Sequence, residues 1–162
     1  MKNLLISMAC GTILMLTASS SLFALDEHHG PQAHAFITPK EIKWMPAPNT
    51  LPKGAQLSVL EGNPSEKGEF TMRLKMPSNY KIPPHWHPVT EHVTVISGNF
   101  YMGMGDNFDE KTATKLPPGS FAYMAAESHH YAFAHEPAVI QLHGNGPWGI
   151  TYVNPKEDPR AK

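Results

Sequence analysis

The stretch His85-Trp86-His87-Pro88-Val89-Thr90-Glu91-His92 puts three histidines and one glutamate into eight residues. Imidazole nitrogen and carboxylate oxygen are donors that zinc, iron, manganese, nickel and copper accept. In an extended strand, alternate side chains share a face. His85 and His87 then point one way and Trp86 the other, while Glu91, Val93 and Val95 share the histidines' parity. One face reads His, His, Glu, Val, Val, with polar groups running into an apolar interior. Two imidazoles and a carboxylate are costly to bury alone, and a divalent cation compensates that cost. The alternative is an exposed polar turn that happens to be rich in histidine.

A further ligand has to come from elsewhere in the chain. Leu116-Pro117-Pro118-Gly119 reads as a tight turn before a strand, and Ala125-Ala126-Glu127-Ser128 as a second turn. His129-His130-Tyr131 then opens the next strand, and either histidine can be the one that reaches the first cluster. Glu91 can serve twice: bound, it tunes metal charge; detached, it acts as a base. Gln141 and His143 follow Val139 by parity and are candidate pocket groups, as proton donors or substrate contacts. The plainer reading makes them a polar pair at a strand end. Tyr101 and Met102 alternate after Gly98, so one of them enters the interior; Tyr101 is a candidate substrate contact, and a packed barrel residue is the plainer reading. Methionines 72, 76, 102, 104 and 124 are spread over several runs, as core filling is, rather than gathered as a copper site. An open metal site polarises a bound oxygen, lowers the pKa of bound water or holds dioxygen. No serine triad, thiol or phosphate loop competes for the chemistry.

The elements that must position these groups are short strands. Residues 56–60, 70–76, 92–96, 100–102, 120–124, 131–133, 138–142 and 149–153 are strand-like runs, separated by turns rich in Gly, Asn and Pro. Sixteen prolines and twelve glycines suit this pattern better than long helices. No apolar repeat holds a helical period, so the expected class is all-β, a sandwich or barrel. The length of 162 residues fits one domain, and 41% hydrophobic with 17% charged residues gives enough apolar material for a core. The formal net charge is −1 and no basic stripe is present, so no nucleic acid is expected as a partner.

Residues 1–24 have the layout of a secretory signal peptide: Lys2, a mostly apolar Leu4–Leu16, small polar residues, then Leu22-Phe23-Ala24 before Asp26-Glu27. Cleavage after Ala24 and a periplasmic or secreted location are expected, with no membrane contact afterwards. The apolar run is shorter than the roughly 20 residues a spanning helix needs. Cys10, the single cysteine, lies inside this segment and would leave with it. The mature chain then offers no thiolate, and any metal must be held by histidine, carboxylate and water. Residues 25–55 read as a proline-rich arm that lies over a sheet or pairs along its edge, 56–155 as the barrel and 156–162 as a tail.

Two separated motifs now agree in order and distance. His85-x-His87-x-x-x-Glu91-x6-Gly98 resembles the first cupin motif, and Pro117-x-Gly119 followed by His130 resembles the second. The family often has glycine where this chain has Asn79, and proline and glycine in the turn that Ala125-Ala126-Glu127 fills here. The tail from Gly144 to Pro155 looks like that of small single-domain cupins, including the anti-sigma-factor-like group. The resemblance covers roughly residues 56–145. It implies a double-stranded β-helix, or jelly-roll barrel, with one divalent transition metal inside on His85, His87, Glu91 and His130. Alignment from Gly119 favours His130 over His129. Iron, manganese, zinc, nickel and copper all remain open.

Three functions follow from such a site. The first is a metal-dependent enzyme, a dioxygenase-like oxidoreductase or a lyase or isomerase, acting on a small oxygen-rich molecule. The second is a module that captures a small ligand or sugar without turnover. The third is a sensor with a structural metal. An open coordination position favours the enzyme; a fourth protein ligand with a blocked mouth favours the structural role. Exposed sheet edges make a homodimer the expected assembly.

Overall fold

The computed structural model of the protein describes residues 34–161. The expected signal peptide, and the arm up to residue 33, lie outside the described residues. Eleven strands run in order: β1 (Met45–Pro46), β2 (Gln56–Glu61), β3 (Gly68–Met76), β4 (Tyr80–Trp86), β5 (Glu91–Ser97), β6 (Phe100–Met104), β7 (Thr114–Leu116), β8 (Phe121–Met124), β9 (His130–Ala134), β10 (Ala138–Gly146) and β11 (Thr151–Tyr152). Two 3-10 turns, Pro155–Glu157 and Pro159–Ala161, end the described chain. The strands form two antiparallel sheets, one in the order β1-β2-β3-β10-β5-β8 and one in the order β11-β4-β9-β6-β7. This is the all-β jelly roll that the motifs imply. Among the described residues, no helix is long and apolar enough to cross a membrane.

The core lies between the sheets and obeys the period of two. On β3, Phe70, Met72, Leu74 and Met76 are buried, while Thr71, Arg73 and Lys75 alternate toward the outer face. Val93 and Val95 on β5, Ile140 and Leu142 on β10, and Ile82 and Met102 on the facing sheet complete the interior. Each such side chain contributes about 1.5–3 kcal/mol by leaving water. Met72, Met76 and Met102 are core filling, as expected, whereas Met104 is exposed.

β9 departs from simple alternation, because all five of its residues are buried. His130, Ala132 and Ala134 face the interior. Tyr131 and Phe133 face outward and are covered by the β6–β7 loop, whose Phe108 ring lies 5.0 and 5.5 Å from theirs. The Tyr131 hydroxyl donates to the Asp109 carbonyl at 2.7 Å, tying that loop down. The small inward alanines leave space in the barrel beside the site.

The sequence pattern missed the short β1 and β7 and, of the longer strands, β4. Two prolines remove two ladder donors, which argues against a strand. β4 absorbs them in a bulge: Ile82 pairs with Ala132 and His85 with His130, so three steps on β4 match two on β9. Tyr80 and Ile82 point inward, and strict alternation from them would aim His85 outward. The extra residue turns it in.

The described part of the arm pairs along an edge, with Met45 opposite Leu57 and Pro46 opposite Gln56. Two tyrosine hydroxyls fasten the segment between β1 and β2: Tyr80 donates to the Pro52 carbonyl at 2.6 Å and Tyr152 to that of Thr50 at 2.9 Å. Asn79 (φ 58°) and Glu127 (φ 62°) adopt left-handed backbone. They stand at the two turns where the cupin motifs often carry glycine. Left-handed backbone costs a residue with a side chain about 1–2 kcal/mol, so both turns are held by their surroundings. Gly98 has no such latitude: at φ 72° a Cβ there would lie 2.3 Å from the Pro137 carbonyl oxygen.

Candidate metal centre

Three elements bring the site together. β4 supplies His85 and, one residue past its end, His87; β9 begins at His130. Glu91 is the first residue of β5, on the opposite sheet. Residues 85–95 are therefore not one strand with one face. Pro88-Val89-Thr90 crosses between sheets, so Glu91 meets the histidines from across the interior rather than from along their own strand.

All four side chains are buried, with relative exposures of 3% for His85 and His87, 5% for Glu91 and 1% for His130. The three histidines offer nitrogens that lie within 4.8 Å of one another. Among the described residues they are the only such group of three or more potential ligands. Glu91 stands beside them, with Oε1 3.4 Å from His87 Nε2 and Oε2 3.8 Å from His130 Nε2.

The other ring nitrogen of each histidine is tied to a backbone carbonyl. His85 Nδ1 lies 2.7 Å from the Pro83 oxygen, His87 Nδ1 2.6 Å from that of Gly149 and His130 Nδ1 2.9 Å from that of Ser128. A carbonyl only accepts, so each Nδ1 carries the proton and donates. Each Nε2 is left with a bare lone pair. The Nε2 atoms of His87 and His130 are buried without any hydrogen-bond partner, and a buried polar atom left so is costly. Neutral imidazoles fixed through Nδ1 with converging Nε2 atoms are the donor set a divalent metal requires. The residues present fit such an ion.

Charge points the same way. Burial holds His85 well below its usual pKa, with His130 and His87 adding to the effect. Burial lowers His87 to about 4 and also lowers His130. It pushes Glu91 up to about 7, against the opposing pull of His130 and of a hydrogen bond from Trp148. The histidines are thus neutral at physiological pH, as ligands must be.

The turn before β9 explains the choice between neighbours. Glu127 N–H donates to the His87 carbonyl at 2.8 Å, which fastens the left-handed turn to the site. His130 then points inward, and His129 faces outward with Nδ1 2.5 Å from Asp106 Oδ1.

Three sequence candidates lie elsewhere. Gln141 and His143 share a face with Val139 as read, but it is the outer face, because Ile140 and Leu142 take the interior. Gln141 accepts a hydrogen bond from Arg73 Nε at 3.1 Å, and His143 stacks on His92 with centroids 4.8 Å apart. Met102, not Tyr101, enters the barrel; Tyr101 stacks outside on Phe133 at 4.8 Å. The expectation that these three line the pocket is corrected by strand parity.

Trp148 and Gly149 are the contacts that sequence reasoning missed. The Trp148 indole stacks on the His87 ring (centroids 4.8 Å, planes 23° apart), and its Nε1–H donates to Glu91 Oε1 at 3.2 Å. Gly149 supplies the carbonyl that fixes His87. The signal lay in the tail Gly146-Pro147-Trp148-Gly149, where a bulky aromatic sits among turn residues.

The site opens on a cavity of about 30 Å³, walled by Met72, Leu74, Ile82, Val93, Met102 and Leu142 among others. That is room for one or two waters.

No curated protein matches the chain. Solved structures share its fold. The polyketide cyclase RemF from Streptomyces resistomycificus aligns with a TM-score of 0.65 at 15% identity, over 78% of this chain and 90% of that one. An acetylacetone dioxygenase from Acinetobacter johnsonii aligns at 0.60 and 14% identity, over 82% and 85%. A putative acetylacetone dioxygenase from Methylibium petroleiphilum PM1 aligns at 0.59 and 18% identity, over 78% and 85%. At these identities the likeness is one of fold. The ChrR Cupin-like domain family matches residues 32–148, a span that holds His85, His87, Glu91, His130 and Trp148, and the chain belongs to that family.

Proposed function

We propose that the protein holds one divalent transition metal ion on His85, His87 and His130 with Glu91 as its carboxylate partner. On this reading it is a metal-dependent enzyme for a small oxygen-rich molecule, a dioxygenase-like oxidoreductase or a lyase or isomerase. The observation that carries the metal is the pair of buried, unpartnered Nε2 atoms, each fixed by a carbonyl on the other side of its ring. A bound ion would supply Lewis-acid or redox chemistry at an oxygen atom. The chain's own residues do the rest. The imidazoles hold, the apolar walls exclude water, and Trp148 orients Glu91. Burial raises the Glu91 pKa to about 7 in the metal-free fold; beside a bound cation it would be ionised, and, detached from the metal, it would act as a base at a carboxylate oxygen. Tyr101, Gln141 and His143 face away, so Glu91 is the acid–base group within reach. An acetylacetone dioxygenase and a polyketide cyclase share the fold, which supports an enzyme by analogy.

A second reading, a binding module or sensor whose metal is structural, is favoured by the small 30 Å³ volume of the cavity. The test is reconstitution of metal-free protein with Fe²⁺, Mn²⁺ or Zn²⁺, then screening of small oxygenated compounds for turnover and oxygen consumption. Metal-dependent turnover supports the enzyme. A metal that raises the melting temperature with no turnover on any compound favours the structural role.

The same proposal places the mature protein in the periplasm or outside the cell, on the strength of residues 1–24, and mass measurement of the exported chain checks cleavage after Ala24. It also makes the protein a homodimer. Phe121 and Tyr123 are 57% and 64% exposed on the edge strand β8, an apolar edge of the kind that pairs. Light scattering of the purified protein checks this.

A further inference from the structure

The metal centre does not face solvent directly. Outside its 30 Å³ cavity lies a second, larger chamber of about 510 Å³ that opens to the surface. Leu57, Met72, Trp148 and Ile150 line both. They are the wall between the chambers, and Trp148 is the member of that wall that touches the ligands. It stacks on His87 and donates to Glu91. Its backbone N–H is anchored to the Pro64 carbonyl at 2.6 Å, so the chain is fixed where the side chain begins. The outer chamber is walled by Trp86, Pro64, Pro88 and Val59, with Asn63 and Arg160 at polar positions. It has ample room for an indole.

We infer that Trp148 is the inner door of the metal centre: its indole seals the small chamber, and metal and substrate reach the ligands only when it turns into the large one. Three features carry this. The inner cavity admits nothing larger than one or two waters, so an organic substrate cannot share it with a seated indole. The two chambers have a common wall on the side of His87 and Glu91. Beyond its packing against the edge of the core, the indole's directional hold on the site is one stack and one hydrogen bond, both breakable without unfolding the barrel, while the anchored backbone stays put. The outer chamber is then the waiting room for the substrate. Its apolar, proline- and tryptophan-rich wall suits a flat, weakly polar molecule with hydrogen-bonding oxygens. The inference rests on the metal reading above.

The test is the rate of metal uptake. Cobalt(II) is mixed with the metal-free protein and monitored by its visible absorption. Trp148→Ala removes the door and raises the uptake rate at least tenfold, whereas Trp148→Phe, which still plugs the opening, stays within about threefold of wild type. A residue that merely positions Glu91 would alter metal release and leave uptake unchanged. Val59→Trp tests the same door without touching the site, because it fills the space into which the indole must turn. It slows uptake at least fivefold. Equal uptake rates in wild type and Trp148→Ala overturn the door; if Trp148→Ala does not fold, unchanged uptake in Val59→Trp overturns it. A wild type that takes up no cobalt overturns the metal reading and the door with it.

Discussion

Two groups of histidines lie on opposite faces of the same barrel. His85, His87 and His130 point inward; His92 and His143 point outward from the six-stranded sheet. Both groups contain rings in close contact. His85 and His130 have centroids 4.2 Å apart, and His92 and His143 are 4.8 Å apart with planes only 11° from parallel. The outer pair is part-exposed, and its single carbonyl contact, His92 Nδ1 to the His143 oxygen, is long at 3.3 Å. Its rings stack face to face, so their nitrogens do not converge. The inner rings are tilted against one another by 47–75° and each is tethered through Nδ1. Proximity alone does not make a metal site. The groups differ in the backbone carbonyl behind each inner ring, which sets both the tautomer and the aim of the free nitrogen.

The largest expected effect breaks the inner group. His87→Ala abolishes stoichiometric metal binding, and with it the rise in melting temperature on metal addition, worth roughly 3–4 kcal/mol when metal is in 100- to 1,000-fold excess over Kd. His143→Ala leaves both unchanged. Metal titration with calorimetric melting checks the pair, and equal losses in the two variants would erase the distinction.

The next effect is that of pH. Glu91 must give up its proton to bind metal, and its pKa in the metal-free fold is about 7. Affinity is therefore flat above pH 7 and falls about tenfold per unit below it. Burial lowers the pKa of each inner imidazole, His87 to about 4, which disfavours their protonated forms. Competition titrations should show close to one proton displaced per metal well below pH 7 and none above about pH 8. Two or more would mean the imidazoles also bind protons there, as exposed ones do.

Trp148→Phe keeps a ring against His87 but loses the hydrogen bond to Glu91. Losses of such supporting contacts typically weaken metal binding 10- to 100-fold, and about tenfold is expected at equilibrium. The smallest effect is on the outer face. Gln141→Ala loses the bond from Arg73 and costs about 1 kcal/mol in urea unfolding, with metal affinity unchanged.

Much of the fold and site was legible in the sequence because spacing survives without knowledge of the turns. Eight of the strands are visible as apolar runs, and the positions of His85, His87, Glu91 and His130 match the two motifs. Three things were hidden. β4 was masked by Pro83 and Pro84, whose missing donors a bulge accommodates. Glu91 shares the histidines' parity by coincidence, since a loop lies between them. Trp148 reaches the site only through a turn from the chain's far end, a contact that no local pattern encodes. The facing of Gln141 and His143 was readable in principle, because Ile140 and Leu142 compete for the same strand and apolar side chains win the interior. The left-handed backbone at Asn79 and Glu127 explains why glycine is common at those turns in the family.

The most direct measurement is elemental analysis of wild type, His87→Ala and His143→Ala, each purified without a histidine tag. The account predicts one equivalent of a divalent transition metal in wild type and His143→Ala and none in His87→Ala. A wild type that holds no metal and takes up none on addition, or a His87→Ala protein that keeps its full equivalent, would contradict it.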